Sequence, residues 1–168
     1  MKALILAAEG FEDSELLVPL YRLREEGIKV DIAAPRKETF AGKHGYEGHA
    51  DLSFAQLTAS EYDVLVLPGG KGPEAVRLDE RAVKATREIM TAGKVVASIC
   101  HGAQVLISAG VLEGRQATCW KGIRDDLRLA GAEYLDQEVV VDDNLITSRQ
   151  PGDLPAFCRE MMKAIENM

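Results

Sequence analysis

The segment Val95-Val96-Ala97-Ser98-Ile99-Cys100-His101-Gly102-Ala103 decides the fold. Five residues dominated by valine, alanine and isoleucine read as a buried strand. The apolar stretch from Ala103 to Ala109, closed by Gly110, reads as a buried helix. Almost nothing separates the two, so the connection must be a sharp turn with Cys100 at its apex. Ser98 and Gly102 flank that turn with small side chains. The arrangement is that of a nucleophile elbow, with cysteine where the Gly-x-Ser-x-Gly pattern has serine. A thiol at the start of a helix meets free backbone N–H groups and partial positive charge, which predicts a thiolate. The competing assignment is an inert core cysteine, the common state of a free thiol. The position at a strand's carboxyl end favours reactivity.

Working outward, Ala3 to Ala8, Ile28 to Ala34 and Val64 to Leu67 are further apolar runs of strand length. Helical periods lie between them. Asp13 to Glu26 aligns Leu16, Leu20 and Leu23 before Gly27, and Pro19 inside it predicts a kink. Asp79 caps a helix running to Ala92, with Val83, Thr86 and Met90 on one face and Gly93 as the stop. A last helix from about Asp153 to Glu166 aligns Leu154, Phe157, Met161 and Ile165. Residues 138–148 read as a late antiparallel hairpin turning at Asp142-Asp143-Asn144. Residues 36–51 lack a period and predict an irregular insertion or small hairpin. This alternation predicts one α/β domain over residues 1–168, with a mostly parallel sheet between helices.

Totals narrow the function. The 168 residues carry a net charge of −7, with 27 acidic against 20 basic side chains and no basic cluster, which argues against nucleic-acid binding. No apolar run is long enough for a membrane span, and Glu9, Glu12 and Asp13 follow the first run too soon for a signal peptide. Three widely spaced cysteines, Cys100, Cys119 and Cys158, do not make a disulfide framework or a zinc motif, and the expected location is the reducing cytoplasm. His44 and His49 lack a third ligand, so no metal site is expected. The Gly69-Gly70-Lys71-Gly72 stretch does not have Walker spacing.

In a doubly wound sheet, ligands bind beyond the carboxyl ends of the strands. There the chain places Glu12, Asp13 and Glu15, then Pro68-Gly69-Gly70 and Glu74, then Cys100 and His101. Spacing alone leaves His101 equally a base or a polar helix-start residue. It does not choose among the carboxylates.

Several stretches resemble the PfpI family of intracellular proteases, within the DJ-1/PfpI superfamily. They are Gly10-Phe11-Glu12-Asp13-Ser14-Glu15-Leu16, Gly42-Lys43-His44-Gly45, Leu65-Val66-Leu67-Pro68-Gly69-Gly70, Pro73-Glu74, Ala97-Ser98-Ile99-Cys100-His101-Gly102, Ile107 to Leu112 and Gly122 to Asp126. The resemblance implies a flavodoxin-like three-layer sandwich and a Cys100 nucleophile with His101 as its partner. It also implies a Glu74 contributed by a neighbouring subunit and a Glu15 that hydrogen-bonds the sulfur, with Glu12 nearby. Oxyanion and substrate contacts then fall to Gly69, Gly70, His101, Lys43 and Trp120. Relatives carry tyrosine where this chain has Trp120, so a phenolic proton is missing here. The implied assembly is a homodimer or a higher homo-oligomer up to a hexamer, with no cofactor. The implied chemistry is thiolate attack on a carbonyl: peptide hydrolysis, cofactor-free conversion of methylglyoxal to lactate, or deglycation of amines. The alternative is a redox-sensing or chaperone-like stress protein working through oxidation of Cys100. Glutamine amidotransfer fits poorly, because no histidine follows His101.

Overall fold

The computed structural model describes residues 1–168. Its centre is a seven-stranded sheet. The strands in chain order are β1 (Lys2–Leu6), β2 (Lys29–Ala34), β3 (Thr39–Ala41), β4 (Glu47–His49), β5 (Leu52–Ser53), β6 (Val64–Leu67), β7 (Val95–Ile99), β8 (Gln116–Ala117), β9 (Glu133–Tyr134), β10 (Val140–Asp142) and β11 (Leu145–Ser148). The main sheet runs β10-β11-β7-β6-β1-β2-β5, and only β10 is antiparallel to its neighbour. The helices are α1 (Asp13–Glu25), α2 (Gly72–Leu78), α3 (Glu80–Thr91), α4 (Ala103–Ala109), α5 (Arg124–Leu129) and α6 (Leu154–Glu166).

Strand β1 shows why the run from Ala3 onward is apolar without alternation. Leu4, Leu6 and Ala8 pack into the core beneath α3, α4 and α5, while Ala3, Ile5 and Ala7 pack into the core beneath α1 and α6. Both faces are buried, so both parities must be apolar. The predicted mostly parallel sandwich with its late hairpin is therefore the observed architecture. Helix α1 continues unbroken through Pro19. Asp79 does cap α3, accepting from the Arg81 N–H at 2.9 Å, although the buried face is Ala82, Ala85, Thr86, Ile89 and Met90, with Val83 at its margin.

Two elements were left open by the sequence. Residues 36–51 form the small hairpin β3–β4, and its turn is tied to α1 because Asp13 accepts the N–H groups of His44 and Tyr46 at 2.9 and 2.8 Å. Against the pull of burial, those two amides hold the Asp13 carboxyl below its ordinary value. Residues 72–78, which follow the Pro68-Gly69-Gly70 turn, are helix α2, with Pro73 in its first turn where the missing N–H costs nothing.

Strand β11 is the less obvious member. As a hairpin arm it pairs with β10, but on its other side it lies parallel to β7, Leu145 to Ser148 opposite Val96 to Ile99. Buried Asn144 fixes its start, donating to the carbonyls of Met90 and Lys94 at 3.1 and 2.8 Å and accepting from Arg115 at 2.9 Å. The carboxyl end of β11 therefore opens at the same sheet edge as those of β1, β6 and β7.

Candidate active site

At that edge the chain reverses direction at Cys100. The residue has a φ of 60°, which places a non-glycine side chain in the left-handed region at a cost of about 1–3 kcal/mol. Cys100–Gly102 form one tight turn that runs into α4. The strain aims the thiol out of the strand's end and into a cavity of about 710 Å3. Only 8% of Cys100 is exposed.

Glycines make the close approach feasible. A Cβ on Gly69 would stand 2.5 Å from Glu15 Oε2 and 2.8 Å from Cys100 Cβ, so only glycine lets the β6 turn run between those two residues. Gly70 has a φ of 78° and packs against the backbone of Gly10, Phe11 and Glu12. The β1, β6 and β7 turns are thereby locked together, and the Gly69 carbonyl accepts the Glu12 N–H at 3.0 Å.

His101 Nδ1 lies 3.4 Å from the Cys100 sulfur, so the elbow brings together two residues that a regular helix would point apart. Burial first, with a smaller push from Lys43, holds the imidazole below its ordinary pKa against the pull of Glu74. The ring is therefore neutral and able to accept a proton at pH 7. Glu15 is fully buried on the first turn of α1, beside the thiol. Its Oε2 accepts the Gly69 N–H at 2.8 Å, and its Oε1 has no partner. Burial pushes its pKa up to about 7.

The electrostatics of the sulfur correct the expectation of a ready thiolate. Burial and the adjacent Glu15 carboxylate push the Cys100 thiol up to about 12, and the N–H groups of His101 and Gly70 offset only part of that rise. A short turn and a seven-residue helix do not outweigh desolvation beside an anion. Thiolate and carboxylate oppose each other, so the sulfur ionises readily only when Glu15 carries the proton.

The remaining predicted residues divide. The N–H groups of Gly70 and His101 lie near enough to the sulfur to favour its ionised form. The Gly69 N–H does not, because it is taken by Glu15, and the residue's contribution is the absence of a side chain. Glu12 is buried, accepts from Ser14 Oγ at 3.2 Å, and meets His44 Nε2 at 3.2 Å and Lys43 Nζ at 3.7 Å. His44, an exposed residue of the β3–β4 turn, thus reaches the cavity's carboxylate from outside. Glu74 stands exposed on the cavity wall with no hydrogen bond to His101 of its own chain. Trp120 lines the cavity with its ring centroid 6.3 Å from that of His101. Its backbone N–H donates to the Cys100 carbonyl at 3.3 Å, and Gly122 leaves room for the indole. Cys119 and Cys158 are buried away from the cavity. No group of three or more His, Cys, Asp or Glu side chains is placed to share a metal ion. No helix is long and apolar enough to cross a membrane.

Sequence reasoning missed Lys71 and the wall formed by Gln150, Pro151 and Gly152. That wall follows β11 and is held by Arg149, whose guanidinium donates to both oxygens of buried Asp153 at 3.0 and 3.1 Å. Parallel pairing of β11 with β7 was the signal that would have found it, and that pairing is not local in the chain.

The DJ-1/PfpI family description matches residues 1–164. The chain is 54% identical over 165 residues to Deglycase TK1284 of Thermococcus kodakarensis, covering 98% of this chain and 99% of that protein. It is 54% identical over 166 residues to Deglycase PfpI of Pyrococcus furiosus, covering 99% and 100%. Among solved structures, a two-domain protein of Anabaena variabilis with DJ-1/ThiJ/PfpI-like and ferritin-like domains superposes with a TM-score of 0.96 at 41% identity. That match covers 98% of this chain and 48% of the other, so this chain spans about half of the two-domain protein. The family match over residues 1–164 and the 54% identity over nearly the whole length of these relatives show that the chain, with its cysteine elbow at the carboxyl edge of a parallel sheet, belongs to the DJ-1/PfpI family.

Proposed function

We propose that this protein is a cysteine-dependent deglycase for amines modified by small dicarbonyls such as methylglyoxal. The reading is carried by the Cys100 sulfur facing a cavity of about 710 Å3, 3.4 Å from His101 Nδ1 and beside buried Glu15. A cavity of that volume accommodates an amino acid or side-chain adduct. The two relatives described above are named deglycases, which supports the activity but not a particular adduct.

In this mechanism the Cys100 sulfur attacks the carbinol carbon of the adduct. A C–S bond forms as the C–N bond breaks, and the amine leaves with a proton relayed by His101. Once the sulfur is neutral in the C–S bond, Glu15 releases its proton to solvent. Its carboxylate then removes the proton from the sulfur-bearing carbon and returns it to the adjacent carbonyl carbon, while the carbinol hydroxyl proton passes by way of His101 to the neighbouring oxygen. The N–H groups of Gly70 and His101 hold the charge on oxygen. One carbon is oxidised as its neighbour is reduced, giving a lactoyl thioester. Water cleaves the thioester to lactate and free thiol. Adduct plus water becomes amine plus lactate, with no electron gained or lost. A buried carboxyl with a pKa near 7 suits this two-way proton transfer.

Wild-type protein is expected to release amine and lactate from methylglyoxal adducts with multiple turnovers, and Cys100→Ala to release neither. Peptide substrates run in parallel test proteolysis. Turnover of peptides alone overturns the deglycase reading. So does an absence of turnover accompanied by stoichiometric conversion of Cys100 to sulfinate, which supports the redox alternative.

The exposed Glu74 further leads us to propose that it completes the His101 site of a second copy of the chain. Mixing Cys100→Ala chains with Glu74→Gln chains, each inactive alone, is then expected to restore about a quarter of the wild-type sites through mixed assemblies. No recovery after confirmed subunit exchange would rule out sharing.

A further inference from the structure

Lys71 sits at the mouth of the cavity with its charge unanswered. Its backbone is fixed: the N–H donates to the Gly10 carbonyl at 2.8 Å, and the carbonyl accepts the Glu74 N–H at 3.1 Å. Its Cβ lies so close to Gly10 that a methyl group there would come within 3.1 Å. The side chain leaves this anchored start along the cavity wall. It directly follows Gly70, whose N–H lies near the Cys100 sulfur. Lys71 thus lines the same cavity as the Cys100 sulfur.

No carboxylate lies within 4.0 Å of the Lys71 ammonium, although Glu74 is three residues along the same turn, a spacing that favours ion pairs. Lys43, which lines the same cavity, differs in having Glu12 at 3.7 Å. Glu12, Glu15 and Glu74 all line this cavity in a chain of net charge −7, so an anion entering it meets repulsion unless a cation is free to receive it.

We propose that Lys71 is a specificity-determining residue that receives a carboxylate on the non-reacting end of the substrate. The site then prefers adducts of α-amino acids, whose carboxylate is two bonds from the modified nitrogen, over adducts of neutral amines. The substrate class rests on the deglycase reading; the anion preference at the thiol does not.

Iodoacetate and iodoacetamide alkylate a thiol by the same step, S–C bond formation with loss of iodide, and differ only in charge. The test is the ratio of their rates at Cys100, followed by mass spectrometry of the Cys100 peptide in the full-length protein. The ratio is expected to fall roughly fivefold in Lys71→Gln, the effect of one partly exposed ion pair, and to return in Lys71→Arg. Added salt should lower the wild-type ratio and leave that of Lys71→Gln flat. Lys29→Gln, the same charge change at the opposite end of the sheet, controls for net charge. An unchanged ratio in Lys71→Gln, or an equal fall in Lys29→Gln, overturns the proposal. The kcat/KM ratio for methylglyoxal adducts of alanine and alaninamide should move in parallel. If neither adduct is turned over, the deglycase reading fails while the alkylation ratio still decides the role of Lys71.

Discussion

Glu15→Gln is expected to lose turnover by about 100- to 10,000-fold while making the fold more stable at pH 8. Both effects have one origin. Glu15 is fully buried, and burial raises its pKa from 4.5 to about 7. In the unfolded chain the carboxyl gives up its proton near the lower value, in the folded chain near the higher one. Between them the folded state binds more protons, so stability falls as pH rises from about 4.5 to 7 and stays lower above that window. Complete ionisation of the buried group costs about 3 kcal/mol. Glutamine has nearly the same shape, and its amide oxygen can still accept the Gly69 N–H, but it does not titrate. The variant should match wild type at pH 4 and exceed it by about 3 kcal/mol at pH 8, since the ionised carboxylate is then absent. Urea unfolding at both pH values, paired with the turnover assay, measures the two effects. Equal stability differences at pH 4 and pH 8 would mean that Glu15 does not carry the buried charge. Retained turnover would remove it from the proton transfer.

What could be read in the chain was what neighbours in sequence determine. Strand β7, the sharp turn at Cys100 and helix α4 are contiguous, so Val95 to Gly110 specify the elbow almost unaided. Strand β1 is legible for a similar reason, because burial on both faces leaves an unbroken apolar run. Helix α2 was hidden because Gly72 and Pro73 are both turn formers and sound helix starters, and only the Lys71 and Glu74 contacts decide between the two. The Gln150–Gly152 wall was hidden by the double pairing of β11, whose antiparallel side is local and whose parallel side is not. The charge state of Cys100 was misjudged for the same physical reason. A helix start can be seen in sequence, whereas the carboxyl of Glu15 reaches the sulfur from a different strand end and with its water removed. The residues of the site were thus legible, and their mutual electrostatics were not.

Gly102→Ala tests the elbow by sterics alone, and its stability effect should be among the largest of any single methyl addition. Gly102 has an ordinary helical φ of −54°, so alanine meets no backbone penalty there. Its Cβ, however, would overlap the carbonyl oxygen of Leu67 and stand 2.9 Å from Ser98 Oγ. The carbonyl cannot withdraw, since β6 is held by β1 on one side and β7 on the other. The only relief is to push the elbow outward, which moves Cys100 away from the N–H of Gly70 on the β6 turn. A loss of about 3–5 kcal/mol is expected, from overpacking against fixed backbone. Gly110→Ala provides the opposite case. That residue has a φ of 67° but nothing within 4 Å of its Cβ position, so alanine should cost only about 1 kcal/mol. Urea midpoints give the two stabilities, and the iodoacetamide rate at Cys100 reports the elbow. Gly102→Ala should lose both stability and the native alkylation rate, whereas Gly110→Ala should lose a little stability and keep the rate. If the two variants lose equal stability, backbone preference rather than the contact with Leu67 is what reserves position 102 for glycine. A native alkylation rate in a destabilised Gly102→Ala would show that the turn can shift without carrying Cys100 with it.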